Sequence, residues 1–259
     1  MFYVRPEDVV RNHAKGNEIP QWDIAILCFH SIEKTMNIVN YFKGRKIGYR
    51  LFSKCDCGMV FEAVIGNHKI GILGWCTGGG PLVASLIEEI SITGIKWLIG
   101  IGAAASIVND IERNEIIFPT EIYMNDAVSQ YYYNQDWIKI DKEMHSLVCK
   151  IMDKKKYREV KGATVEALYR QCEDILNPWR NQGAQVVNWE LGPFYVVSHT
   201  YKIKAAWIGH VSDVETQEVW KNWYIDRKNA FEDVVKICKV IIDSIVEEIR
   251  NENKFKSDN

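Results

Sequence analysis

A repeated change of hydrophobic period along the chain constrains the fold more than any other feature. The segment "WDIAILCFH" (22–30) is a continuous apolar run, too short for a helix and typical of a buried strand. Directly after it, Ile32, Met36, Val39 and Phe42 recur at helical spacing. A strand followed at once by a helix predicts an α/β unit, with Ser31 and Glu33 at the edge of a sheet.

The same alternation continues to the end of the chain. "MVFEAVIGNHKIGILGW" (59–75) predicts two strands joined by a turn at Gly66-Asn67, and "LVASLIEEISITG" (82–94) predicts a helix that ends at Gly94. "FEDVVKICKVIIDSIVEEIR" (231–250) has the pattern of a long amphipathic helix. Further strand candidates are "IKWLIGIGAAAS" (95–106), "EIIFPTEIYM" (115–124) and "AAWIGHVSD" (205–213). The pattern predicts helices outside a mostly parallel sheet.

Composition narrows the class of partner. The chain is 47% hydrophobic and 25% charged, as in globular proteins, and no linker or repeat divides residues 1–259, so we expect a single domain. With a net charge of -2 and scattered cations, neither nucleic acid nor an anionic membrane surface is an expected partner. No apolar run reaches the roughly 18 residues of a membrane span, and "MFYVRPEDVVRNH" lacks the order of a secretory signal. These features favour a cytoplasmic protein with a small ligand.

The cysteines favour reduced thiols. There are seven, an odd number at irregular spacings, which does not suit a disulfide framework. Cys55 and Cys57 form a C-x-C that could bind a metal only with partners from elsewhere in the chain. We therefore expect neither a metal nor a cofactor.

Ligands of open α/β sheets collect at the carboxyl ends of the strands. The "TGGGP" loop (77–81), which includes Gly79, could let backbone amides approach a ligand, although a tight turn explains it equally well. A dinucleotide-dependent oxidoreductase is disfavoured because the full G-x-G-x-x-G fingerprint is missing. Asp213 ends a predicted strand and could hold a proton for a leaving group, but Ser212 and Glu215 also spell a helix capping box.

Two further carboxylates also have structural explanations. Glu33 in the first turn of a helix is favoured by the helix dipole. Asn188 can be the N-cap of a helix from Leu191 to Thr200, with Glu190 in its first turn. Taken one at a time, neither residue requires a function.

The order of these segments resembles one family. The strand-helix start, the Gly-rich loop, "IGIGAAASIVNDIERNEIIFPTEIY" (99–123) and "NWELGPFYVVSHTYKIKAAWIGHVSD" (188–213) are similar to the nucleoside phosphorylase and nucleosidase superfamily over nearly the whole chain. The resemblance implies a single-domain three-layer α/β/α fold with a mixed central sheet. It also implies a homo-oligomer, a dimer or a hexamer, that binds a small-molecule nucleoside.

The resemblance also implies roles for individual residues. Cleavage of an N-glycosidic bond builds positive charge on the sugar and negative charge on the base, so the site needs a sugar anchor and a proton donor. By resemblance, Glu190 holds ribose hydroxyls and Asp213, oriented by Ser212, protonates a purine nitrogen. Trp189 replaces the usual methionine beneath the sugar, and Leu168 with Tyr169 takes the place of an aromatic residue that stacks on the base.

The nucleophile separates hydrolases from phosphorylases within the superfamily. The arginine and the hydroxyl residue expected of a phosphorylase are replaced by Gly100 and Ala103, and an early arginine is replaced by Glu33. A carboxylate would repel phosphate by about 1 to 4 kcal/mol at contact distance, so phosphate is an unlikely partner. The resemblance therefore favours hydrolysis, with Glu33 activating water. A phosphorylase with an atypical phosphate site and a non-catalytic nucleoside-binding protein are the alternatives.

Overall fold

The computed structural model describes residues 3–14, 18–49, 51, 59–152, 156–216, 220–221 and 230–257, so Cys55 and Cys57 lie outside the described residues. The strands are β1 (Ile24–Cys28), β2 (Arg45–Lys46), β3 (Val60–Ile65), β4 (His68–Leu73), β5 (Trp97–Ser106), β6 (Ile116–Tyr123), β7 (Trp137–Lys139), β8 (Arg158–Thr164), β9 (Val186–Asn188), β10 (Lys204–Glu215) and β11 (Trp220–Lys221). The α-helices are α1 (Pro6–Ala14), α2 (Ile32–Tyr41), α3 (Gly79–Ser91), α4 (Ala127–Gln130), α5 (Lys142–Ile151), α6 (Glu173–Asn181), α7 (Leu191–Thr200) and α8 (Ala230–Ser257).

All of these strands belong to one mixed sheet, and part of that sheet closes on itself. β1 pairs in parallel with β4 on one side and with β5 on the other, while β3 and β2 extend the β4 edge in antiparallel fashion. From β5 the pairing continues through β9, β8 and β6 to β10, and β10 pairs again with β5. Five strands therefore form a ring, which brings the ends of β5, β9 and β10 together.

Helices flank this sheet, and α7 is the most deeply buried of them. Every residue from Leu191 to Ser198 is buried, so this helix is covered on all sides rather than along one stripe. The Tyr195 hydroxyl donates to the Pro119 carbonyl at 2.7 Å and accepts from the Trp207 amide at 3.0 Å. These bonds fasten α7 to β6 and β10, and they fix the direction in which its N-terminus points.

The α/β fold with a mixed central sheet, which the resemblance implied, is confirmed. The prediction of a mostly parallel sheet from the alternation is wrong, because five of the strand pairings among the described residues are parallel and six are antiparallel. The turn at Gly66-Asn67 joins β3 to β4 as expected, with Gly66 in the left-handed region at φ 61°. The predicted helix from Leu191 to Thr200 has these bounds in the structure. None of the five cysteines in the described part of the chain belongs to a disulfide. None of the described helices combines the length and apolar character needed to cross a bilayer.

One local prediction was wrong. Ser212 and Glu215 do not form a capping box for a following helix, because β10 continues through both residues to Glu215. The strand stays extended because Val214 and Glu215 pair with Lys221 and Trp220 of β11. A local capping pattern cannot reveal this pairing, because β11 lies outside the four residues of the pattern. As a result, residues 212–215 stay in the strand at the end of the ring.

Candidate active site

A cavity of about 210 Å³ lies where β1, β5, β9 and β10 end. Its volume is below the roughly 300–1,000 Å³ of typical drug-sized sites, so it suits a small molecule. Residues from separate strands and the segments after them form its wall: Phe29, Thr77, Ala103, Ala104, Ala105, Val165, Leu168, Gln171, Val187, Asn188, Trp189, Glu190, Ser212, Asp213 and Glu215. Its location matches the expectation that ligands collect at the carboxyl ends of strands.

Glu190 is held at the N-terminus of α7 by the side chain of Asn188. The Asn188 amide oxygen accepts from the backbone N–H groups of Glu190 and Leu191 at 3.0 and 2.9 Å. Its amide nitrogen donates to Glu190 Oε1 at 2.9 Å. The Asn188 side chain thus satisfies two amide groups at the start of α7. The sequence-based assignment of Asn188 as the N-cap, with Glu190 in the first turn, is wrong, because Glu190 is the N-cap residue.

The position of Glu190 changes its protonation. Its side chain is only 8% exposed, and burial raises its pKa to about 8 because a charged carboxylate loses hydration there. The Glu190 carboxyl group therefore retains its proton to a higher pH than an exposed glutamate does. Hydroxyl groups of a bound sugar that donate to it would favour the ionised form.

A bulge in β10 presents Asp213 to the cavity. The register between β10 and β5 shifts between Val211 and Asp213, so Ser212 is an extra residue on the β10 side. The Ser212 hydroxyl oxygen lies 2.5 Å from Asp213 Oδ1 and 3.2 Å from the Ala104 carbonyl oxygen. Asp213 is itself buried, at 4% exposure. Ser212 is therefore in direct contact with the Asp213 carboxyl group.

Glu215 is a further carboxyl group of the cavity that sequence reasoning treated only as a capping residue. It follows Asp213 by two positions on β10, and residues at that spacing share a face of the strand. Burial, followed by the neighbouring Asp213 carboxylate, raises the pKa of Glu215 to about 7. The spacing Asp-x-Glu at the end of a strand was the available signal. Its prediction depended on knowing that β10 continues past Ser212.

Trp207 packs against the glycines of β5. It is fully buried on β10 opposite Gly100 of β5. A Cβ atom at Gly100 would come within 2.7 Å of Trp207 Cδ1, and one at Gly102 within 2.4 Å of Trp207 Cζ2. The position at which the resemblance led us to expect an arginine in phosphorylases therefore has no room for a side chain.

The structure brings together most, but not all, of the predicted site residues. Of the nine, six line this cavity: Ala103, Leu168, Trp189, Glu190, Ser212 and Asp213. The described lining does not include Glu33, Gly79 or Tyr169. Glu33 is exposed in the first turn of α2, four positions after Phe29 of the cavity wall, and Tyr169 is 94% exposed. Gly79 opens α3 at φ 68°, close to Thr77 of the wall.

The described part of the cavity wall carries the carboxyl groups of Glu190, Asp213 and Glu215 but no lysine or arginine. It contains no histidine or cysteine, so a metal such as zinc would find only oxygen and amide groups in this part of the wall. The described lining is therefore rich in carboxyl groups and lacks the cationic side chains of an anion-binding site.

Comparison with known proteins identifies the family. The family model of the phosphorylase superfamily matches residues 23–247. The chain belongs to the phosphorylase superfamily. Uncharacterized protein R802 of Acanthamoeba polyphaga mimivirus is 24% identical to this superfamily member over 179 residues, which are 66% of this chain and 68% of the viral protein.

Solved structures of other proteins share the fold of this superfamily member. AMP nucleosidase from Bacteroides thetaiotaomicron has a TM-score of 0.74 at 12% identity, covering 95% of this chain and 100% of the other. Uridine phosphorylase from Vibrio fischeri has a TM-score of 0.71 at 16% identity, covering 88% and 92%. At these identities the likeness establishes the fold, and this phosphorylase-superfamily chain is thereby placed among folds used by both nucleosidases and phosphorylases.

Proposed function

We propose that this protein hydrolyses the N-glycosidic bond of a purine nucleoside or a nucleoside-like metabolite. The observation that carries the proposal is the cavity wall. It combines three carboxyl groups, Glu190, Asp213 and Glu215, and has no cationic side chain in its described part. A doubly charged phosphate needs cationic donors, which this part of the wall lacks, whereas a water molecule needs none.

The sugar is the first part of the substrate that the wall explains. In this proposal the two oxygens of Glu190 accept hydrogen bonds from ribose hydroxyls, with Asn188 keeping the carboxylate in place. As the bond breaks, positive charge grows on the sugar, and an ionised Glu190 beside it stabilises that charge. Trp189, 37% exposed at the cavity, forms the adjacent wall.

The leaving base requires a proton. When the bond from C1′ to the base nitrogen breaks, its electron pair stays on the base, and Asp213 delivers the proton that neutralises it. Glu215, which retains a proton up to about pH 7, then returns one to Asp213. Ser212 holds the Asp213 carboxyl group in the orientation for this transfer.

The water nucleophile is the last component. Its oxygen bonds to C1′, and a base must take its proton. We assign this role to Glu33, because the resemblance places a water-activating glutamate there and because Phe29, four positions earlier, lines the cavity. The steric block at Gly100 supports water over phosphate, since no arginine side chain can extend from that position.

The test is a panel of purine and pyrimidine nucleosides in phosphate-free buffer, with released base measured by chromatography. We expect the wild-type protein to release a purine, and Asp213→Asn to lower the rate by ~10²–10⁴-fold. Asp174→Asn, at an exposed carboxylate on α6, is the matched control and should leave the rate unchanged. A wild-type rate in Asp213→Asn would contradict the assigned proton donor, and ligand binding without turnover would contradict hydrolysis.

A further inference from the structure

Three side chains outside the cavity converge on one point. Among the described residues they are the one group of histidine, cysteine, aspartate or glutamate side chains whose ligand atoms fit around a metal ion: His145, Cys149 and Glu159. None of the three lines the proposed active site. The sequence pattern pointed only to Cys55 and Cys57 as metal ligands. It did not point to His145 and Cys149, because Glu159 lies on a separate strand.

Local structure explains why these groups meet. His145 and Cys149 are four residues apart on α5, so their side chains project from the same face of the helix. Glu159 is the second residue of β8. The ring of buried Phe118 stacks on the His145 imidazole, with centroids 6.1 Å apart and planes 19° from parallel. The stack holds the imidazole with Nε2 directed at Cys149 and Glu159.

The ligand atoms lie close enough together to surround one cation. His145 Nε2 lies 3.4 Å from Cys149 Sγ and 3.3 Å from Glu159 Oε2, and Cys149 Sγ lies 3.4 Å from Glu159 Oε1. With one ligand atom taken from each residue, all of these atoms lie within 4.8 Å of one another. Around zinc, with Zn–S near 2.3 Å and Zn–N or Zn–O near 2.0–2.1 Å, tetrahedral ligands lie about 3.3–3.6 Å from one another.

Charge and exposure point to the same kind of ion. A thiolate, a carboxylate and a neutral imidazole together balance the charge of a divalent cation. The mixture of sulfur, nitrogen and oxygen donors is preferred by borderline cations such as Zn²⁺ rather than by Ca²⁺ or Mg²⁺. The His145 and Glu159 side chains are each 38% exposed, so an ion can enter and water can complete the tetrahedron.

We propose that His145, Cys149 and Glu159 form a binding site for one divalent zinc-class cation, with water as the fourth ligand. On binding, Cys149 releases its thiol proton to solvent and forms the metal–sulfur bond. The bound ion adds metal–ligand bonds between α5 and β8, which already touch through His145 and Glu159. It therefore acts as a stabilising clip, and the site is independent of the nucleoside chemistry.

The test uses the metal-free full-length protein and Co²⁺ as the probe, because a cobalt–thiolate bond gives a near-ultraviolet charge-transfer band. We expect this band to saturate at one ion per chain and to be displaced by Zn²⁺. Cys149→Ser should remove it, and Glu159→Gln should weaken binding by at least tenfold. Cys172→Ser, at an exposed cysteine, should retain it.

A second control covers the C-x-C pair. The double variant Cys55→Ser/Cys57→Ser should bind Co²⁺ with the wild-type band, which separates the proposed site from those two thiols. The expected stability effect is a higher unfolding temperature of the wild-type protein with Zn²⁺, and no such increase in Cys149→Ser. Absence of a thiolate band in the wild type, or an undiminished band in Cys149→Ser, would overturn the proposal.

Discussion

Replacement of Glu190 by glutamine should make the protein more resistant to alkaline pH while abolishing its activity. The folded-state pKa of about 8 lies above the reference value of 4.5, so between these values the folded state binds a proton that the unfolded chain has released. The free energy of unfolding contributed by Glu190 is therefore greatest below about pH 4.5 and is lost as the pH rises through about 8. Glutamine has no such proton, and its amide oxygen can still accept from Asn188.

The magnitude follows from proton linkage. Each pH unit over which the two states differ by a full proton changes the free energy of unfolding by about 1.4 kcal/mol. From pH 5 to pH 8, the free energy of unfolding of wild type should therefore fall by about 3 kcal/mol relative to that of Glu190→Gln.

Urea unfolding at four pH values and one fixed protein concentration measures this difference. Glu247→Gln, at an exposed carboxylate on α8, is the control and should follow the wild-type pH dependence. If the wild-type and Glu190→Gln curves run parallel from pH 5 to pH 8, Glu190 is not the buried proton-holding group described above.

Three further predictions concern the side chains of Glu215 and Trp189 and the packing of Trp207 on Gly102. In wild type, kcat/KM should peak between about pH 7 and 8, because Glu215 must hold its proton while Glu190 must lose its own. In Glu215→Gln, kcat/KM should be lower and should rise through pH 8, and a pH profile identical to that of wild type would show that Glu215 is not in the proton path. Gly102→Ala should lower the free energy of unfolding by about 1–3 kcal/mol in urea titrations, because its Cβ would come within 2.4 Å of Trp207; an unchanged midpoint would show that Trp207 moves freely. Trp189→Ala should raise KM more than it lowers kcat, and a selective loss of kcat would contradict its role as a wall of the sugar site.

Local sequence signals were sufficient for many of the elements of the fold, but they predicted none of those between residues 127 and 188. The apolar run ending at Cys28 and the helical spacing from Ile32 predicted β1 and α2, because each pattern reports which face of a segment is buried. The family resemblance also brought Glu190 and Asp213 to attention, and both line one cavity.

Features that depend on long-range pairing could not be predicted from the sequence. The closure of β10 on β5, the bulge at Ser212 and the extension of β10 to Glu215 are set by partners distant in sequence. For the same reason the Ser212–Glu215 spacing was compatible with a helix cap. Only the structure shows Glu215 as a cavity carboxyl group and Trp207 as the side chain that occupies the space beside Gly100.

The proposed hydrolysis requires that water, and not phosphate, attacks C1′ of the sugar. The most direct measurement is to identify the sugar product formed from a cleaved purine nucleoside, with and without inorganic phosphate. If water is the nucleophile, free ribose should form at the same rate in both conditions. Formation of ribose 1-phosphate that depends on added phosphate would contradict it.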